Sequence, residues 1–210
     1  MKAEIWNFWS RKYDKLWVQK YSLKPTREYI VSLISDLKRS ENNDEMIKIL
    51  DIGCGPGELI KELEDEFDHL DITGIDFSEG MLEVSMAKNP KTRHINMDVA
   101  NLHKLKDKFN IIICTHSLPY YKDPNEVMNE LNRLLEDGGK IYMGFASGDN
   151  FYDKFVLNFV KLTTGPANYP SDEKFKQFIK SHFQVENLQI IKEKFYMPRI
   201  AIYTLKKVSI

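Results

Sequence analysis

Apolar positions along the chain switch repeatedly between two spacings. From Thr26 to Leu37 they fall at Tyr29, Ile30, Leu33, Ile34 and Leu37, which predicts a helix, and the polar stretch Lys38 to Asp44 reads as a loop. Ile47 to Ile52 is a short apolar run ending at glycine, the pattern of a buried strand. Helical spacing returns at Leu59, Ile60, Leu63 and Phe67, and Asp71 to Asp76 forms a second short strand. The Ser78 hydroxyl is placed to accept from an early N–H of a helix running to Lys88. Pro90 breaks that pattern, and Arg93 to Met97 reads as a third strand. Phe109 to Thr115, β-branched and apolar, is the clearest strand of all.

Asp123-Pro124-Asn125-Glu126 combines an N-cap, a proline at the first helical position and a capping-box glutamate. Val127, Leu131, Leu134 and Leu135 supply that helix's buried face, Gly138-Gly139 is expected to stop it, and Lys140 to Ala146 is a fifth strand. Strands that alternate with helices predict an α/β fold, a parallel sheet covered on both faces. The tail differs. Residues 150–163 read as a helix with Phe151, Phe155, Phe159 and Leu162 on one face, closed by Gly165-Pro166, and a further helix spans Ser171 to Ser181. Two extended segments, 185–196 and 199–207, are near-consecutive and should pair as an antiparallel hairpin. An aromatic arm (Trp6, Phe8, Trp9, Tyr13, Trp17, Tyr21) precedes the first helix and is expected to pack on the body. No repeat or linker divides the chain, so the reading is one domain over 1–210. Its parts are an arm over 1–40, a core over 47–146, helices over 147–184 and a hairpin over 185–210.

Composition narrows the class. About two-fifths of the 210 residues are hydrophobic, which is globular. The formal net charge of −1 carries no footprint for a nucleic-acid backbone, so no nucleic-acid partner is expected. The two cysteines, Cys54 and Cys114, have no zinc-ligand spacing, so no metal is expected and a reducing compartment is the plain reading. The first residues lack a signal-peptide pattern and no segment is long and apolar enough to span a membrane, so the expectation is a cytoplasmic protein.

The chemistry concentrates at Asp51-Ile52-Gly53-Cys54-Gly55-Pro56-Gly57, between a strand and a helix. Glycines let backbone approach a ligand closely, and open α/β sheets bind ligands at this edge. The dinucleotide fingerprint requires a glycine where this chain has Glu58, and no Gly-Lys-Ser/Thr follows, so neither a dinucleotide loop nor a P-loop fits. A carboxylate at Asp51 repels pyrophosphate and favours a ligand with an ammonium or sulfonium charge.

The segment I-L-D-I-G-C-G-P-G resembles motif I of the class I S-adenosylmethionine-dependent methyltransferases. The resemblance continues in order through Asp76, F-S-E-G-M-L at 77–82, N-M-D-V-A around Asp98, the strand F-N-I-I-I-C-T-H and the turn L-L-E-D-G-G-K-I-Y. It covers roughly residues 47–146 and implies a Rossmann-like, seven-stranded sheet of order 3-2-1-4-5-7-6 with strand 7 antiparallel, which agrees with five alternating strands plus a terminal hairpin. It also implies S-adenosylmethionine as cofactor. Asp51, Gly53, Cys54 and Gly55 would sit at the loop, Asp76 at the ribose, Phe77 and Met81 beside the adenine, Asp98 and Val99 near its amino group, and Thr115 at the end of the fourth strand. Tyr13-Asp14 resembles an arm element that folds over the cofactor in several small-molecule methyltransferases, which adds Tyr13 and Tyr21 as candidates.

Plainer roles stand beside these. Asp51 and Asp76 are also placed to cap the turns that follow, Asp98 to be a surface residue, Cys54 a small loop residue and Cys114 a core residue. His116 is the best candidate general base by side-chain chemistry, with Tyr120 beside it, although both also suit a role in shaping the pocket. L-P-Y-Y at 118–121 is not the N-P-P-Y type motif, which weakens the case for methylation of nucleic acids or proteins. The reading is methyl transfer to a small-molecule acceptor by in-line displacement, for which positioning and exclusion of water matter most. A non-catalytic cofactor-binding module and a protein or RNA methyltransferase are the alternatives.

Overall fold

A computed structural model of the chain describes residues 6–7, 10, 19–41, 45–149, 153, 156–158, 166–194 and 197–208. Seven strands form one sheet in the order β3-β2-β1-β4-β5-β7-β6. They are β1 (Ile47–Ile52), β2 (Leu70–Asp76), β3 (Arg93–Asn96), β4 (Phe109–Thr115), β5 (Leu135–Ala146), β6 (Phe183–Ile191) and β7 (Ile200–Lys207). The first five pair in parallel, and β7 pairs antiparallel with both β5 and β6, as the sequence led one to expect.

Among the described residues, the helices α1 (Lys24–Glu41), α2 (Glu58–Glu66), α3 (Glu79–Lys88), α4 (Pro124–Leu134) and α5 (Asp172–Ile179) flank the sheet. Side chains alternate across each strand, so neighbours enter opposite layers. Ile111 and Ile113 of β4 pack with Ile30 and Ile34 of α1 and Ile60 and Leu63 of α2. Ile112 and Cys114 pack on the other face with Leu131 and Leu134 of α4 and Phe175 of α5. Because both faces are buried, the central strands read as unbroken apolar runs. Among the described residues no helix is long and apolar enough to cross a membrane.

Several expected boundaries move. Helix α1 begins at Lys24 and runs on to Glu41, through part of the stretch expected to be loop. Its polar last turn suits a helix: Lys38 donates to the Asp68 carbonyl at 2.6 Å, Arg39 donates to Ser35 at 2.7 Å, and cations favour a helix C-terminus. Helix α4 stops at Leu134, ahead of Gly138-Gly139. Those glycines belong instead to the irregular start of β5, where it passes close to β4. Gly138 has φ +80°, and a Cβ on Gly139 would lie 2.7 Å from the Asn110 carbonyl. The hairpin strands are shorter than expected, ending at Ile191 and starting at Ile200, and the helix expected over Ser171 to Ser181 spans Asp172–Ile179. Asp153 and residues 156–158 are helical, while Phe151, Phe155, Phe159 and Leu162 lie outside the described residues.

The caps form as the sequence predicts. Ser78 Oγ accepts from Met81 N at 3.2 Å, and Asp123 Oδ1 accepts from Asn125 N and Glu126 N at 3.1 Å each. The strand order reverses between β1 and β4, so their carboxyl ends open a crevice between the diverging connections.

Candidate functional site

The crevice is a cleft of about 250 Å³. The loop after β1 forms its floor. Gly53, Gly55 and Gly57 all have positive φ, at 74°, 55° and 76°. Gly57 has no alternative, because a Cβ there would stand 2.2 Å from Ser85 Oγ and 2.4 Å from Asn89 Nδ2. Asn89 Nδ2 also donates to the Gly57 carbonyl at 2.9 Å, so α3 grips the loop from behind. On the β2 side, Gly53 N and Cys54 N donate to the Ile75 carbonyl at 2.8 and 3.1 Å.

Asp76 ends β2 and borders the cleft. Its two oxygens accept from Gly55 N at 3.0 Å and Ser78 N at 2.8 Å. Burial raises its pKa, against the pull of those N–H donors. Each carboxylate oxygen retains a further acceptor position, so Asp76 can still take a hydroxyl pair from a ligand. Phe77, Met81, Met97 and Val99 give the neighbouring wall its apolar character, and Asp98 and Thr115 also line the cleft. Asp98 combines two roles, since its Oδ1 accepts from Ala100 N at 2.9 Å and caps the turn Val99–Lys104.

Asp51 lies beneath this surface rather than on the cleft wall. It is 2 % exposed, and its Oδ1 has no hydrogen-bond partner among the described residues, so the alternative of a cap on the following turn is not realised. Burial, with Asp76 nearby, raises its pKa to about 7. Cys54 is likewise absent from the wall. Its side chain is buried in the layer beneath, with Sγ 3.1 Å from where a Cβ on Gly74 would sit, and burial pushes its thiol well above the ordinary range. Cys114 is a core residue, 1 % exposed.

His116, Ser117, Tyr120 and Tyr121 also line the cleft. His116 has φ +60°, a conformation that costs a non-glycine residue roughly 1–2 kcal/mol. Its N–H donates to the Gly144 carbonyl at 2.6 Å, which ties this turn to β5. Burial, then the Arg27 charge, pulls the ring's pKa down to about 4, so His116 is neutral at physiological pH. Ser117 Oγ donates to the Ile52 carbonyl at 3.1 Å and lies 2.8 Å from the Tyr121 hydroxyl.

The arm contributes two residues that sequence pattern does not single out for this role. The Trp6 ring meets the Tyr120 ring edge-on at 5.5 Å and lines the cleft. Asn7 Oδ1 accepts from Ser78 Oγ at 2.6 Å and from Gly80 N at 3.2 Å, which pins the arm to the start of α3. Tyr21 is not brought to the cleft. It lies in the π-helical turn Gln19–Leu23, with the Lys20 and Lys194 ammonium groups 5.3 and 5.7 Å from its ring centre. Tyr13 lies outside the described residues. Glu126 and Glu130 also line the cleft. Their i, i+4 spacing is the available signal for a shared face, whereas the sequence pattern offers Glu126 a capping-box role.

Comparison with known proteins adds to this geometry. Residues 50–143 match a family model described as a methyltransferase domain. Among curated proteins, the malonyl-[acyl-carrier protein] O-methyltransferase of Halalkalibacterium halodurans is 29% identical over 124 residues, 56% of this chain and 46% of that protein. The ubiquinone/menaquinone biosynthesis C-methyltransferase of Campylobacter jejuni is 32% identical over 126 residues, 53% of this chain and 54% of that protein. The chain thus spans about half the length of these relatives. Among solved structures, the N-methyltransferase NodS from Bradyrhizobium japonicum, in complex with S-adenosyl-L-homocysteine, shares the fold. Its TM-score is 0.68 at 13% identity, with 91% of each chain covered.

Proposed function

Residues 50–143 belong to the class I S-adenosylmethionine-dependent methyltransferases, and from that premise we propose that the chain transfers a methyl group to a small-molecule acceptor. The observation that carries the proposal is Asp76. Its carboxylate borders the cleft at the end of β2 and is held there by the N–H groups of Gly55 and Ser78.

The residues suit the cofactor. Asp76 has acceptor positions for ribose hydroxyls, Phe77, Met81 and Val99 offer an apolar slot for an adenine, and Asp98 stands at its edge. The Asp51 carboxyl behind the loop, with one oxygen unpaired among the described residues, ionises above about pH 7 and then supplies negative potential toward a cationic ligand. When bound, S-adenosylmethionine supplies an electrophilic methyl on a sulfonium centre. The protein's tasks are then to orient the acceptor and keep water out. Thr115, His116 and Tyr120 form the end of the cleft given to the acceptor, and Trp6 with Tyr120 closes it. The relative of ubiquinone/menaquinone biosynthesis supports a small acceptor, and the malonyl-[acyl-carrier protein] relative supports a small acceptor group, there borne on a carrier protein. The free, buried cysteines fit a cytoplasmic setting.

Calorimetry tests the cofactor assignment. The wild type should bind S-adenosylmethionine and S-adenosylhomocysteine, and Asp76→Ala should lose about 10- to 100-fold in affinity, the scale of one or two hydrogen bonds to a charged group. Full affinity in the variant sinks the assignment. Release of labelled methyl groups to a metabolite panel then separates an enzyme from a binding module.

A further inference from the structure

His116 makes a contact that the cleft itself does not require. Its Nε2 lies 3.1 Å from Thr26 Oγ1, and the same Oγ1 lies 2.7 Å from the Ser22 carbonyl oxygen. A hydroxyl has one proton to give. Two oxygens that close repel unless a proton lies between them, so the Thr26 proton goes to Ser22. Thr26 Oγ1 then has only lone pairs to offer the ring, and Nε2 is the donor. In a neutral imidazole the other nitrogen is consequently bare, so Nδ1 is an acceptor. Among the described residues nothing hydrogen-bonds to Nδ1, and His116 lines the cleft.

The contact is held from both sides. Thr26 is fully buried, and its Cγ2 would be 3.3 Å from a Cβ on Gly144, the residue whose carbonyl accepts from His116 N. Arg27, the next residue of α1, is the charge acting on the ring, and it pairs with Glu62 of α2 at 2.8 Å.

We propose that Thr26 is a positioning residue for methyl transfer: it locks His116 as the Nε2–H tautomer, so the ring meets the acceptor with the Nδ1 lone pair and selects an acceptor atom that carries a proton, a hydroxyl or an amine. An ionised carboxylate is disfavoured there, because its lone pairs would face another lone pair, so in acceptor this chain departs from its malonyl-[acyl-carrier protein] O-methyltransferase relative. The inference rests on reading the cleft as a methyl-transfer site.

Long-range proton–nitrogen correlation spectra of the histidine-labelled 210-residue chain read the tautomer directly. The chain has five histidines, and the His116→Gln spectrum assigns the signal. The wild type should show Nε2 protonated and Nδ1 bare, Thr26→Ser should keep that pattern, and Thr26→Val should lose it in favour of mixed tautomers. A wild-type ring protonated at Nδ1 overturns the lock, as does a Thr26→Val spectrum unchanged from wild type. The wild-type and Thr26→Ser spectra decide the matter even where Thr26→Val does not fold. Transfer to an ionised carboxylate in the metabolite panel overturns the selection, and transfer to a hydroxyl or amine supports it. Failure to bind S-adenosylmethionine would instead remove the cofactor reading and leave the tautomer result standing.

Discussion

Asp51 shows how one residue sets a pH dependence. Its folded pKa of about 7 stands above the ordinary aspartate value of 3.8, because burial and Asp76 both penalise its charge. Between those two values the folded state binds a proton that the unfolded state does not, so stability falls as pH rises from about 4 to about 7. Asn at this position keeps the shape and cannot ionise. Urea unfolding across that range should show Asp51→Asn gaining on the wild type by on the order of a few kcal/mol, with the gap levelling off above about pH 7. A constant gap across the range would mean that the carboxyl is not protonated in the fold. The same carboxyl illustrates legibility at this scale. Its place before a glycine loop marked it out in the sequence, but that it sits under the loop, with an oxygen unpaired, depends on the packing of β1 against β2.

At the scale of elements, caps and glycines set where helices start and how closely elements approach. Ser78 and Asp123 cap their helices as read, because a cap acts on N–H groups two or three residues away. Gly57 is stricter. It combines a left-handed backbone with a close approach of α3, so Gly57→Ala should cost about 2–4 kcal/mol by urea unfolding, conformational strain added to overpacking. Gly55 also has positive φ, but a Cβ there would meet nothing within 4 Å, so Gly55→Ala should cost only the conformational part, about 1–2 kcal/mol. Equal losses at the two sites would show that the contact with Ser85 and Asn89 relaxes freely. The glycine pair at 138–139 reads the same way in sequence, as a helix stop. Its purpose, letting β5 pass the Asn110 carbonyl, belongs to a pairing between separate strands.

Across the whole molecule, a polar clasp joins β7, and Arg199 just before it, to the first residue of α5 and to the residues that follow β5. Asp172 accepts from Tyr203 at 2.6 Å and Ser147 at 3.2 Å and pairs with Arg199, which also reaches Asp149 at 3.2 Å. Burial pushes the Asp172 pKa up, but the hydrogen bonds from Tyr203 and Arg199 outweigh it, and the net shift is downward. A lowered folded pKa contributes stability above the unfolded value and loses it as pH falls through the folded one. The wild type should therefore lose its advantage over Asp172→Asn as the solution is acidified below about pH 4, measured by urea unfolding. An advantage that persists in acid would show that the carboxylate charge does not hold the clasp. Asp51 and Asp172 thus act on opposite sides of about pH 4, the first favouring acid and the second opposing it.

The sequence by itself determined the alternation of strands and helices, the caps, the glycine loop and the acids at 76 and 98. Each of these follows from periodicity, or from groups a few residues apart, and the resemblance at 47–146 then supplied the strand order. Only the tertiary structure decided which of these residues share one surface. It set Cys54 and Asp51 below the cleft, left Tyr21 off it and brought Trp6 to its wall. It also joined Thr26 to His116, ninety residues apart in the chain. Such contacts depend on the packing of α1 over β4 and β5, and no local pattern encodes a neighbour that only the folded sheet brings near.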